Sequence, residues 1–167
     1  MVTDSFISFI KSYYFGLPLP LIFAAIILFL LKDKKGLMFS LVTLAFFGFG
    51  ALTHEFIKDL DQGIYIWRYL LWAANDFIWI VVISRLANHN KTHLLQSCLG
   101  ILVVFPAPLI QLFRAIDRHY FDLSLSDYVY VIGLPFINTL TIIICYIPVV
   151  AILFSRCKNY LAPKPQM

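Results

Sequence analysis

Charge is what this chain has least of. Asp, Glu, Lys and Arg make up 13% of its 167 residues, where a soluble domain carries roughly a quarter. Hydrophobic residues account for 61% and mean hydropathy is +0.85. So few polar side chains cannot cover a water-facing surface, which excludes an ordinary soluble domain and makes the lipid bilayer the expected solvent and first partner. Polar stretches long enough for a separate soluble domain are missing as well.

Cysteine is sparse too. Cys98, Cys145 and Cys157 are odd in number and show no CxxC spacing, which argues against a disulfide framework, a zinc knuckle or a thiol redox pair. The chain lacks a Gly-rich phosphate loop, an HExxH and a GxSxG. It also lacks a histidine pair at matching depth on facing spans, as a heme would need. No cofactor and no metal is therefore expected. His89 and His93 have the i, i+4 spacing of a two-imidazole metal site, but no third ligand accompanies them. The formal net charge of +4 does not indicate nucleic acid, because the basic residues lie in short clusters between apolar runs, the pattern of topology signals. There is no internal repeat of the kind seen in inverted-repeat transporters. No cleavable signal peptide is expected, since Asp4 precedes any basic residue and no small-residue cleavage site follows an apolar core.

What the chain does have is five apolar runs of about the length that crosses the hydrocarbon layer, roughly 17–25 residues. They cover 15–31, 36–56, 64–86, 94–113 and 128–155. The expected fold is all-α: a single polytopic integral membrane helix bundle, residues 1–167, with about five transmembrane helices. Lys32, Lys34, Lys35, Arg85, Lys91, Arg156, Lys158 and Lys164 fall on one side, with Asp33 the only acid there. Lys11, Lys58, Arg114 and Arg118 fall on the other, with Asp4, Asp59, Asp61, Asp117, Asp122 and Asp127. The positive-inside rule then puts the N-terminus outside and the C-terminus in the cytoplasm. Tyr65, Trp67, Tyr69, Tyr120, Tyr128 and Tyr130 gather at the outer ends as a headgroup-level aromatic belt. Residues 1–14 read as a short interfacial helix, with Phe6, Phe9, Ile10, Tyr13 and Tyr14 on one face. Ala162–Met167 reads as a disordered tail. Short loops and an uncleaved N-terminus point to a bacterial inner membrane.

Asp76 is the residue most at odds with this setting. It falls midway along the third span beside Asn75, where a carboxylate costs roughly 2.5–3.5 kcal/mol on insertion scales. Asn138 of the fifth span lies at the same depth, so Asn75, Asp76 and Asn138 form a midplane layer and a candidate proton or ion site. Nearer the outside, His54, Glu55, Arg68, Gln111 and Arg114 form a second layer. Arg68 is two helical turns, about 12 Å, from Asp76, so Glu55 is its expected partner. The two layers together suggest a polar cavity open to the outside and ending at Asp76. Each has a plainer alternative: helix-packing hydrogen bonds for the midplane, a helix-locking ion pair for Glu55 and Arg68, an interfacial polar residue for His54. Gly48, Gly50 and Ala51 of the second span suggest close helix approach.

Three functions are compatible with this pattern. The first is a non-enzymatic membrane subunit or binding protein, of the immunity, assembly or sensor type, with a membrane protein partner or copies of itself. The second is a proton- or cation-coupled transporter component using Asp76. The third is a membrane enzyme acting on a lipid-linked substrate near the outer leaflet, with His54, Glu55, Arg68 and Asp76 as acid/base and anion-binding groups.

The orientation is tested by a fluorescent protein fused to the C-terminus. It is expected to fluoresce, whereas an alkaline phosphatase fused there should stay inactive; the reverse pair of signals would invert every assigned depth.

Overall fold

The structure, a computed structural model, describes residues 18–60, 66–121 and 124–161, with only the backbone for Glu55, Lys58, Leu60, Ser124, Leu125 and residues 159–161. The expected interfacial helix over 1–14 and the tail from 162 lie outside the described residues. Six helices follow in order: α1 (Pro18–Leu30), α2 (Lys34–Leu60), α3 (Ile66–Asn88), α4 (Leu94–Val104), α5 (Pro106–Tyr120) and α6 (Ser124–Leu161). No strand occurs among the described residues.

Among the described residues, four stretches are long and apolar enough to cross a membrane: Lys34–His54, Ile66–Asn88, Leu94–Tyr120 and Ser126–Lys158. A shorter apolar helix is Pro18–Leu30. Its 13 residues rise about 20 Å, less than a hydrocarbon layer of about 30 Å. The expected fourth span is corrected in two ways. It breaks at Phe105, because Pro106 has no N–H to continue α4 and instead serves as the first residue of α5. It also runs on to Tyr120 rather than ending at 113, because the polar residues beyond that point face inward and keep the helix packed.

α1 lies along α2, α3 along α5, and α6 along α4 and α5. The core between them holds Leu21, Ala24 and Leu28 from α1, Phe39 from α2, and Trp79 and Ile83 from α3. Phe39 meets Trp79 edge to face at 5.8 Å, and Trp79 Nε1 donates to Thr43 Oγ1 at 3.3 Å. Large apolar side chains such as Phe29, Leu52, Leu102 and Phe154 point away from the bundle. A surface this apolar suits hydrocarbon and is rare on a water-soluble monomer.

The turns α1–α2 and α3–α4 are built alike. Lys32 and Asn90 each adopt positive φ, 61° and 56°. The next residue donates back across the helix end, Asp33 N to Leu28 O at 3.0 Å and Lys91 N to Leu86 O at 2.8 Å, which is Schellman closure. Asp33 then caps α2, accepting from the backbone N–H of Lys35 and Gly36 at 3.2 Å each. The two turns clasp each other: His93 Nε2 lies 2.9 Å from Asp33, and Lys35 Nζ donates to Asn90 Oδ1 at 2.5 Å. His93, considered above with His89 for metal binding, is thus an acid's partner.

α6 carries two prolines, Pro135 and Pro148. Pro148 leaves the carbonyl of Ile144, four residues earlier, without its helical donor. The buried Gln96 side chain of α4 supplies one, Nε2 to Ile144 O at 3.2 Å, as backbone inside a membrane requires. Tyr146 Oη donates to Pro20 O at 2.6 Å and ties α6 to α1.

Close approach occurs at Gly36 and Gly100 rather than at the expected Gly48 and Gly50, where an added Cβ would meet nothing within 4 Å. A Cβ on Gly100 would come within 2.8 Å of Phe39 Cζ and 3.1 Å of Trp79 Cη2, and those rings are fully packed. Gly100→Ala is therefore expected to cost about 1–3 kcal/mol, seen as a lower midpoint of thermal unfolding in detergent, while Gly48→Ala leaves the midpoint unchanged or slightly raised.

Candidate intramembrane polar site

α5 turns its polar side inward. Gln111, Arg114 and Asp117 repeat every third residue and are buried with Ala107, Pro108 and Ala115. Leu109, Phe113, Ile116 and Tyr120 point outward. A helix of a soluble protein has the opposite pattern. The inward face of α5 meets α3 and α6, and the polar residues meet partners on each.

Midway along α3, Asp76 Oδ2 accepts from Gln111 Nε2 at 2.8 Å. Beside this bond is a cavity of about 20 Å³, lined by Asn75 and Asp76 of α3 and Asn138 of α6, with Phe46 and Phe47 of α2 among its apolar walls. Its volume suits one water molecule. The three residues expected at the midplane thus surround one space. α3 brings Asn75 and Asp76 to it and α6 brings Asn138, with Val104 and Ala107 from either side of the α4–α5 break also on its wall.

The residues expected in the outer layer separate into distinct contacts. Gln111 belongs with Asp76. Arg114 pairs with Asp117 of its own helix, Nη1 to Oδ2 at 3.2 Å, and binds the start of α6, Nη1 to Ser126 Oγ at 2.6 Å and Nη2 to Asp127 Oδ1 at 2.8 Å. Ser126 Oγ in turn donates to Asp117 Oδ2. The Arg114 and Asp117 side chains are 5% and 3% exposed, and Asp127 is 56% exposed. This is a buried pair with one solvent-side acid closing the α5–α6 turn.

Arg68 Nη2 donates to Tyr69 Oη at 3.0 Å, and its guanidinium carbon is 5.0 Å from the centre of the Tyr69 ring. Arg118 Nη1 reaches the same hydroxyl at 3.5 Å. Tyr69 is buried and packs edge to face on Tyr130 at 5.2 Å. Of the expected aromatic belt, Tyr69 is therefore an interior residue, while Trp67, Tyr120 and Tyr128 are exposed. His54 stacks on Trp72 at 5.4 Å, joining α2 to α3. The expected Glu55–Arg68 pair lies outside the described residues, because the Glu55 side chain is not among them.

Sequence reasoning passed over several participants. Asp117 is three residues after Arg114, the spacing of an intrahelical pair, and Ser126 and Asp127 directly precede the fifth span. Both signals were available, but an expected helix end at 113 placed Asp117 in a loop. Nothing in the sequence marks Tyr69 or Gln96 as interior polar partners. No known protein family matches the chain, and no curated protein or solved structure does either.

Removing one member of a buried pair leaves an uncompensated charge, at a cost of about 3–5 kcal/mol. Arg114→Leu is therefore expected to lower the unfolding midpoint sharply and reduce accumulation in the membrane. Asp127→Asn, at the exposed end, should cost no more than about 1 kcal/mol.

Proposed function

We propose that the chain is a non-enzymatic multi-pass membrane subunit, acting through helix–helix contact with a membrane protein partner or with copies of itself, as immunity, assembly and sensor proteins do. The observation that carries this reading is the mutual engagement of its intramembrane polar groups. Gln111 is committed to Asp76, Arg114 to Asp117, Ser126 and Asp127, and Gln96 to the Ile144 carbonyl. Polar side chains that bridge one helix to another in this way hold a bundle in register and leave its apolar exterior as the contact surface. The space beside Asp76, about 20 Å³, has the size of a water molecule and not of a lipid-linked substrate.

The orientation belongs to the same proposal. Lys32, Lys34, Lys35, Arg85 and Lys91 gather at the end of the bundle where Asp33 meets His93 and Lys35 meets Asn90. Two turns clasped together lie on one side of a membrane, and their basic residues assign that side to the cytoplasm. With α1 as a short first crossing, the same proposal has five crossings, the N-terminus outside, in a bacterial inner membrane.

Extraction from the native membrane in mild detergent, followed by native mass spectrometry, tests the function. The expected result is an assembly of fixed stoichiometry, with another integral membrane protein or with itself, that Arg114→Leu weakens along with thermal stability. A monomer that turns over a lipid-linked substrate would overturn the reading. So would one that carries ions into proteoliposomes and loses that flux, but not its fold, on Asp76→Asn.

A further inference from the structure

Gln111 is 4% exposed. Its Nε2 donates to Asp76 Oδ2 at 2.8 Å, yet its Oε1 has no hydrogen-bond partner among the described residues. A buried amide oxygen left unmatched carries a desolvation cost of about 1–3 kcal/mol. An Asn or a Ser at this position would be too short to reach, and a Lys or Arg would neutralise Asp76 permanently. The amide is distinctive because it offers a donor at one end and an acceptor at the other.

We infer that Asp76 is an intramembrane proton-binding site, with Gln111 as its two-way hydrogen-bond partner and a water in the adjoining space as the proton's carrier. In the ionised state the Gln111 amide N–H donates to the carboxylate. In the step to the neutral state, one O–H bond of a hydronium breaks and one O–H bond forms on a carboxyl oxygen of Asp76. A neutral water remains, and the carboxylate charge is discharged. A half-turn of the Gln111 amide then presents Oε1 to accept from the new O–H. One side chain thus satisfies both protonation states, and the unmatched oxygen is the acceptor for the second. The cavity of about 20 Å³, with Asn75 and Asn138 on its wall, has the size and the polar partners for one carrier water.

The surroundings favour a proton over a metal cation. Gln111 places an N–H against the carboxylate, and a donor there competes with any cation for the same oxygen. A divalent ion takes six or more oxygens, often with several carboxylates, and Asp76 is the one acid on the wall. None of the other side chains lining the space from α2, α3, α4, α5 or α6 titrates. The ionisable groups nearest by helix register are engaged or remote. Arg114, one turn along α5 from Gln111, is paired with Asp117 and Asp127. On α2, His54 is stacked on Trp72, one turn along α3 from Asp76. On α6, Tyr130 and Cys145 each lie about two turns from Asn138, and Cys98 of α4 points outward. The inference stands on the cavity and the Gln111 contact, and does not depend on the subunit assignment.

Infrared difference spectra of the full chain in lipid nanodiscs, recorded as pH is stepped across the neutral range with isotope-labelled aspartate, test it. A carboxylic-acid carbonyl band is expected to appear on acidification, with the shift that labelled aspartate imposes. In Asp76→Glu, which keeps an acid at the site, the band should persist without that isotope shift. In Gln111→Leu it should move to the higher frequency of an acid lacking its hydrogen-bond partner. Sodium at fixed pH should leave the band unchanged. A wild-type band absent at every pH step, or one that keeps its isotope shift in Asp76→Glu, would overturn the assignment. Displacement of the band by sodium would overturn it too, making the site one for a metal cation.

Discussion

Gln111 and Asp76 meet inside the bundle, away from bulk water, and that contact sets how α5 lies on α3. Within hydrocarbon, each polar group must find its partner inside the protein. α5 carries Gln111, Arg114 and Asp117 on a single face, so only one rotation of this helix buries all three. That rotation brings Arg114 to Ser126 and Asp127 and fixes the start of α6. It also leaves Leu109, Phe113 and Ile116 toward lipid. The architecture of this end of the bundle follows from one helix facing inward with its polar side.

The other end of the bundle is held differently. There Asp33 and His93, Lys35 and Asn90 join two turns that both close through a residue at positive φ. These contacts are partly exposed, so each contributes little by itself. What they supply is registration: α1–α2 and α3–α4 become two hairpins tied at their tips. Between the ends, the Phe39–Trp79 contact and the glycine at position 100 let α2, α3 and α4 approach closely. Gln96 repairs the carbonyl that Pro148 leaves open. A bundle secured at both ends, with a loosely filled middle beside Asp76, keeps its spare space at the carboxylate.

Much of this was legible from the residues alone. The helical, apolar character follows from composition and from run length against bilayer thickness, quantities that do not depend on packing. The depth of Asn75, Asp76 and Asn138 follows from the constant rise of a helix, and the three do share one cavity. Partner choice was less accessible. Depth groups Arg114 with Gln111, yet they serve different contacts, because one turn of α5 separates them and Gln111 meets α3 while Arg114 meets the start of α6. Tyr69 was assigned to the headgroup belt by depth as well, but its azimuth turns it inward, onto Tyr130 and two guanidinium groups.

The sequence by itself determined where along its helix each polar residue lies, since that coordinate is local and is counted in residues. Only the tertiary structure decided which way each side chain faces around its helix and what it meets, since azimuth depends on the neighbours that close around it. Asp76 illustrates both halves. Its stranding in an apolar run is written in the chain, while its companion amide and its water-sized space exist only because five helices converge there.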